Sequence, residues 1–173
     1  MANTKPTASA IADYYGKYFK YKTTKPCSDV HAKNQCAVRL SIALEGLVPG
    51  FLDDFAPANR VHRNRKTCMN LPPHILGAAE LGNYLSQQWG VPYGYHGADK
   101  LRTREVLQAR PGVIWFEKCY TTSTGTESDH VDFWTGWHYM NELFKVGAGG
   151  NAGAGTDLFK KSDGVIRFFP FTS

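Results

Sequence analysis

Cys36 stands where a polar segment, Lys33-Asn34-Gln35, gives way to a strongly apolar run ending at Leu47. With Asn34 as N-cap, the run predicts a helix over Cys36 to Leu47 with the cysteine at its start. The first N–H groups of a helix lack internal partners, and the helix dipole favours negative charge there. A thiolate at that position is a stabilised nucleophile, and the same N–H groups can hold the oxyanion of a tetrahedral intermediate. Spacing alone fits a buried structural cysteine equally well.

A nucleophilic cysteine needs a base. Of the six histidines, His130 is the best placed: it directly follows the polar stretch Thr121 to Asp129 and opens the strand-like segment His130-Val131-Asp132-Phe133-Trp134. His31, His62, His74, His96 and His138 fall in loops or at less defined positions. A third group must hold the imidazole in the right tautomer. Asp132 lies two residues on, hence on the same strand face. Asn141 is the other candidate. If Thr135-Gly136 closes a two-residue hairpin, Trp134 faces Trp137, Asp132 faces Tyr139 and His130 faces Asn141, with opposed side chains on one face. One residue of slip removes that alignment, so both candidates stay open.

The elements that must carry these residues are legible from periodicity. Ile11, Tyr14, Tyr15, Tyr18 and Phe19 give helical spacing over Ala8 to Phe19, and Pro72 to Trp89 reads as a further helix stopped by Gly90. Val113 to Phe116 follows the Pro111-Gly112 breaker and reads as a strand, as do His130 to Trp134 and Gly164 to Pro170. Helices first and antiparallel strands after predict an α+β fold with the helices packed on one side of a sheet. Val146 to Gly155, almost all Gly and Ala, reads as a loop rather than a linker. The 173 residues suit one catalytic domain spanning 1–173.

Composition narrows the classes. Apolar residues form 42% and charged residues 20% of the chain, which fits a globular protein rather than a disordered one. No run approaches the ~18–20 apolar residues of a membrane helix. Met1 to Pro6 leads into no secretory-type apolar segment, so the expectation is cytoplasmic action or export by a route that reads no cleavable signal. The net charge of +5, concentrated at His62-Arg63-Asn64-Arg65-Lys66, favours encounter with anionic partners. No zinc-finger spacing or aromatic RNA-binding signature accompanies it. Cys27, Cys36, Cys68 and Cys119 match no CxxC metal pattern, and neither a metal nor a cofactor is expected. With Cys36 working as a thiolate, at most one disulfide can form among Cys27, Cys68 and Cys119; the alternative is buried thiols.

Asn34-Gln35-Cys36-Ala37-Val38-Arg39-Leu40-Ser41-Ile42-Ala43-Leu44 resembles the nucleophile motif of the fourth family of type VI secretion amidase effectors. His130-Val131-Asp132-Phe133-Trp134-Thr135-Gly136 is similar to that family's histidine motif. Leu81-Gly82-Asn83-Tyr84-Leu85 and Gly112-Val113-Ile114-Trp115-Phe116 follow in the family's order. The resemblance spans about residues 30 to 170. It implies a papain-like, NlpC/P60-type fold and a peptidoglycan amidase that hydrolyses the D-glutamate–meso-diaminopimelate bond of wall peptide stems. It also implies delivery by the type VI machinery into a rival's periplasm and neutralisation by a cognate immunity protein, with no nucleic-acid or membrane partner. The chain departs from the family pattern in three ways. Asp129 stands where a Gly usually precedes the histidine. Asn141 stands about eleven residues after His130, where the family has its triad acid. The cysteines of a family disulfide after the histidine motif are missing.

Two rival readings remain distinct from hydrolysis. A papain-like transpeptidase or deamidase would use the same triad, and a basic nucleic-acid-binding module would bury Cys36 as a packing residue.

Overall fold

The computed structural model describes residues 4–19, 26–27, 35–55, 61–62, 73–96, 99–121, 125, 127–140, 158–161 and 164–171. Asn34, His31, most of the basic run His62 to Lys66, Cys68, Asn141 and the Gly/Ala stretch 146–155 lie outside the described residues.

Helix α1 (Ala8–Tyr18) begins at Thr7, whose Oγ1 accepts the Ala10 N–H at 3.2 Å. That bond satisfies one of the first-turn N–H groups that the helix itself cannot reach. Its Ile11 and Tyr15, four residues apart, face inward, and Phe19 packs edge-to-face on Tyr15 with ring centroids 5.1 Å apart. Helix α2 (Gln35–Leu47) is buried on every side from Gln35 through Leu44. A helix buried on all its sides belongs at the centre of a core, and α2 packs against α1 and β5 as well as other elements.

The short strands β1 (Val61–His62) and β2 (His74–Ile75) pair antiparallel. Helix α3 (Ala78–Trp89) follows and ends at Gly90, whose φ of 84° is the left-handed conformation that glycine supplies. The expected helix over Pro72 to Trp89 is therefore shortened at its start. Two consecutive prolines bias the chain before and between them toward extended conformations. Ile75 then gives its N–H to Ser41 Oγ at 2.8 Å instead of to a helical carbonyl.

The main sheet holds β3 (Tyr93–Tyr95), β4 (Gly112–Thr121), β5 (Glu127–Trp134) and β6 (Ile166–Pro170), all antiparallel, in the order β3-β6-β4-β5. Its residues alternate between two cores, as the two-residue period of a strand requires. Val113, Trp115, Val131, Phe133 and Phe169 join the core of α1, α2 and α3. Ile114, Phe116, Trp134, Ile166 and Phe168 join a smaller cluster with Leu107 after α4 (Asp99–Val106) and Leu158 and Phe159 of α5 (Leu158–Lys161). The three N-terminal helices thus cover one face, as expected, and a second, thinner layer covers the other. In this α+β arrangement β5 is an edge strand, and α2 docks on it.

Strand β4 is longer than the four residues read from sequence, and its pairing with β5 shifts between Phe116 and Tyr120. Lys118 takes a positive φ of 48° there. Asp129 clamps the irregularity, with Oδ1 accepting the Lys118 N–H at 3.0 Å and Oδ2 accepting Trp115 Nε1–H at 2.9 Å. The polar stretch read as a loop up to Asp129 is in part strand, since β5 already begins at Glu127.

Candidate active site

Cys36 is the second residue of α2, buried in the seam where that helix meets β5. The side-chain amide of Gln35, just before it, donates to the Cys27 carbonyl at 3.3 Å. Across the seam, His130 is buried in the middle of β5, beside its cross-strand neighbour Phe116, with ring centroids 6.3 Å apart. The imidazole is within hydrogen-bonding reach of the Cys36 side chain. Its Nε2 lies 3.6 Å from Asp132 Oδ2, an ion-pair separation longer than a short hydrogen bond. Asp132 is fully buried, and its Oδ1 accepts the Phe133 N–H at 2.8 Å.

These neighbours determine the charge on His130. Burial alone lowers the basicity of an imidazole. Here it is outweighed by the negative charge of the Cys36 sulfur, by contacts with Asp132 and Cys36, and by the Asp132 charge, so the His130 pKa is pushed up to about 10. The balance favours the protonated ring beside the Cys36 sulfur.

Of the residues singled out in the sequence, the structure brings Cys36, His130 and Asp132 together. The two-residue hairpin that aligned His130 with Asn141 does not form. Trp134 bridges Tyr139, not Trp137. Thr135 to His138 make a longer loop in which the Thr135 N–H donates to the His138 carbonyl at 3.0 Å and Thr135 Oγ1 accepts the N–H groups of Trp137 and His138. A threonine hydroxyl that captures its own loop favours this turn over the tight one. Gly136, at φ 98°, gives its carbonyl to Ala109 N–H at 3.0 Å. Of the other described histidines, His96 and His138 are exposed, His74 is buried in β2, and His62 pairs with it from β1.

Sequence reasoning passed over Arg39. It lies three residues after Cys36 on α2 and is only 1% exposed. Burial lowers its pKa, and Tyr15, Asp132 and Cys36 oppose that shift. The available signal was an arginine inside an otherwise apolar helical run. Tyr15, fully buried on α1, has its pKa raised well above 10, first by burial and then by Asp132, with Arg39 opposing and Cys36 adding, so its phenol stays protonated.

Among the described residues no group of three His, Cys, Asp or Glu side chains is placed to hold a metal ion. No helix among them is long and apolar enough to cross a membrane.

The effector Tae4 of the Tae4/Tai4 effector–immunity system from Salmonella typhimurium has a similar structure, with a TM-score of 0.61 at 14% identity over 98% of this chain and 100% of that one. The type VI effector Tae4 from Enterobacter cloacae gives a TM-score of 0.61 at 14% identity, covering 98% of each chain. Salmonella typhimurium Tae4 in complex with the immunity protein Tai4 from Enterobacter cloacae gives 0.59 at 14% identity, over 97% of this chain and 100% of that one. The shared architecture is the papain-like, NlpC/P60-type α+β fold. No curated protein sequence matches the chain. The family model described as type VI secretion system (T6SS), amidase effector protein 4, matches residues 32–168. The chain belongs to that family, the Tae4 amidase effectors, and is a peptidoglycan-cleaving cysteine amidase.

Proposed function

We propose that the protein is an antibacterial DL-endopeptidase that hydrolyses the D-glutamate–meso-diaminopimelate bond of peptidoglycan stems. In this reading Cys36 is the nucleophile, His130 the acid and base, and Asp132 the group that orients the imidazole, with Asn141 as the rival for that last role. The observation that carries it is that His130 on β5 lies beside both Asp132 and Cys36, the latter at the start of a buried helix.

The electrostatics suit both halves of an acyl transfer. The Cys36 sulfur attacks the amide carbon while first-turn N–H groups of α2 receive the oxyanion. The His130 imidazolium then gives its proton to the departing amine. Acylation removes the sulfur's charge, which is the largest influence holding a proton on His130. Burial now dominates, and the ring becomes a neutral base when a water must be deprotonated to release the acyl group.

The family and the effector–immunity pairs among the similar structures support delivery through a type VI system, action in the target cell's periplasm and neutralisation by a cognate immunity protein. Mass spectrometry of purified sacculi tests the chemistry. Wild type should release fragments in which water has been added across the D-glutamate–diaminopimelate bond, and Cys36→Ala should release none. Exchange of stem peptides without added water, or loss of an amide nitrogen without chain cleavage, would replace hydrolysis by transpeptidation or deamidation.

A further inference from the structure

The ladder between β4 and β5 is broken directly beside His130. Phe116 still pairs with His130, and pairing resumes at Tyr120 with Ser128, so Glu117, Lys118 and Cys119 of β4 stand opposite Asp129 alone. β5 is the edge strand of the sheet, so β4 is the strand that must hold it in register. A slip of one residue would turn the His130 side chain to the opposite face.

Asp129 bridges the gap. Its half-buried carboxylate takes two donors from β4 at once, the Lys118 N–H at 3.0 Å on Oδ1 and the Trp115 Nε1–H at 2.9 Å on Oδ2. Lys118 sits at φ 48°, a conformation that a non-glycine residue keeps only where its surroundings enforce it. The indole is a firm anchor, since a Cβ added at Gly82 would collide with it and the Arg167 guanidinium lies 5.4 Å from its ring centre. Glu117 is drawn the other way, toward β6, its N–H donating to the Val165 carbonyl at 3.0 Å and its Oε1 accepting Arg167 Nε–H at 2.7 Å. Bulges beside active sites re-aim a neighbouring side chain.

We propose that Asp129 is a positioning residue: by fastening Lys118 and Trp115 of β4 to β5 it holds the bulge beside His130, and so fixes the register in which the imidazole is presented to Cys36. The inference rests on the catalytic roles proposed above for Cys36 and His130. A carboxylate suits the position because it offers an acceptor oxygen to each donor, whereas an amide offers one and alanine none.

The test uses the full chain and a purified stem-peptide muropeptide, comparing Asp129→Ala with Asp129→Asn. Asp129→Ala should lower kcat about 10-fold to 100-fold with KM within about twofold, since a small misplacement of the base is costly to the chemical step. Asp129→Asn, which keeps one of the two bonds, should recover part of that loss. Amide exchange read by NMR should accelerate in Asp129→Ala at Ser128 to His130 and keep its wild-type rate at Val131 to Trp134, as local opening of the bulge requires. A folded Asp129→Ala with wild-type kcat would overturn the proposal, as would a lowered kcat with exchange raised throughout the sheet or nowhere. Should Asp129→Ala not fold, Asp129→Asn carries the test: a reduced kcat at unchanged KM supports the role, and a wild-type kcat defeats it. Cys36→Ala, run alongside, separates the two levels. If it stays active the catalytic reading itself falls, whereas an inactive Cys36→Ala with indifferent Asp129 variants defeats only the positioning role.

Discussion

His130 Nε2 and Asp132 Oδ2 lie 3.6 Å apart on one edge strand, two residues from each other and both buried. A carboxylate this close to the imidazole favours its protonated form, and in the proposed reading it also orients the ring. Asp132→Ala should therefore cost about 10-fold to 10³-fold in kcat/KM on muropeptide, less than Cys36→Ala, because a misoriented base is partly recoverable. Asn141→Ala made in parallel decides the assignment. A crippling Asn141→Ala beside a mild Asp132→Ala would make the asparagine the orienting group and leave Asp132 a role in the fold.

The charge balance at His130 has a direct titration signature. Its pKa is pushed up to about 10 because the Cys36 charge and the Asp132 and Cys36 contacts together outweigh burial. The imidazolium that protonates the leaving amine is therefore kept until the pH approaches that value, and the alkaline limb of kcat/KM should fall near it. Asp132→Asn removes two of the raising influences, so the limb should move to lower pH. Cys36→Ala removes the largest of them, and the His130 ring signals in NMR should then titrate at markedly lower pH. Ring signals that titrate alike in wild type and Cys36→Ala would show that sulfur and imidazole are not a pair.

Much of this site is legible in the residues themselves. The apolar spacing of Ile11 and Tyr15, the continuous apolar run after Cys36 and the stop at Gly90 each reflect local rules, and the corresponding helix ends agree within a few residues. What local rules cannot carry is the outcome of competition. Ile75 and Leu76 have helical spacing with α3, yet the prolines before them and the Ser41 hydroxyl draw Ile75 into an extended pair. The Thr135 side chain competes with the backbone for the turn after β5 and resets its register. Arg39 is hardest to anticipate, because nothing in the apolar run around it foretells that an arginine there is buried.

Gly82 illustrates a dependence that is visible only in packing. A Cβ added there would collide with the Trp115 indole. The indole has little room to yield, since Asp129 holds its Nε1–H at 2.9 Å and the Arg167 guanidinium stacks 5.4 Å from its ring centre. Glycine to alanine within a helix usually gains up to about 1 kcal/mol of propensity. Overpacking costs about 1–3 kcal/mol, so the net effect of Gly82→Ala should be a loss of stability. Thermal unfolding should show a midpoint about 2–6 °C below wild type for a chain of this size. A midpoint at or above wild type would mean that Trp115 repacks freely.

Compartment gives the most direct test of the biological reading. The proposed substrate lies outside the inner membrane, so the chain fused to a periplasmic signal should lyse a Gram-negative host within a growth curve. The same chain expressed in the cytoplasm should be tolerated, because it meets no crosslinked wall there. The net charge of +5 adds a modest preference for carboxylate-rich stems through long-range attraction. That contribution should fade with ionic strength, because exposed charges are screened over about 8 Å at physiological salt. The same positive charge would also suit nucleic acid, which predicts the opposite pattern of damage from within the cell. Cys36→Ala separates the two. Periplasmic lysis that vanishes with this substitution ties toxicity to the sulfur and hence to bond cleavage. Cytoplasmic toxicity that survives it would instead make the basic surface the active feature, with Cys36 a packing residue in α2.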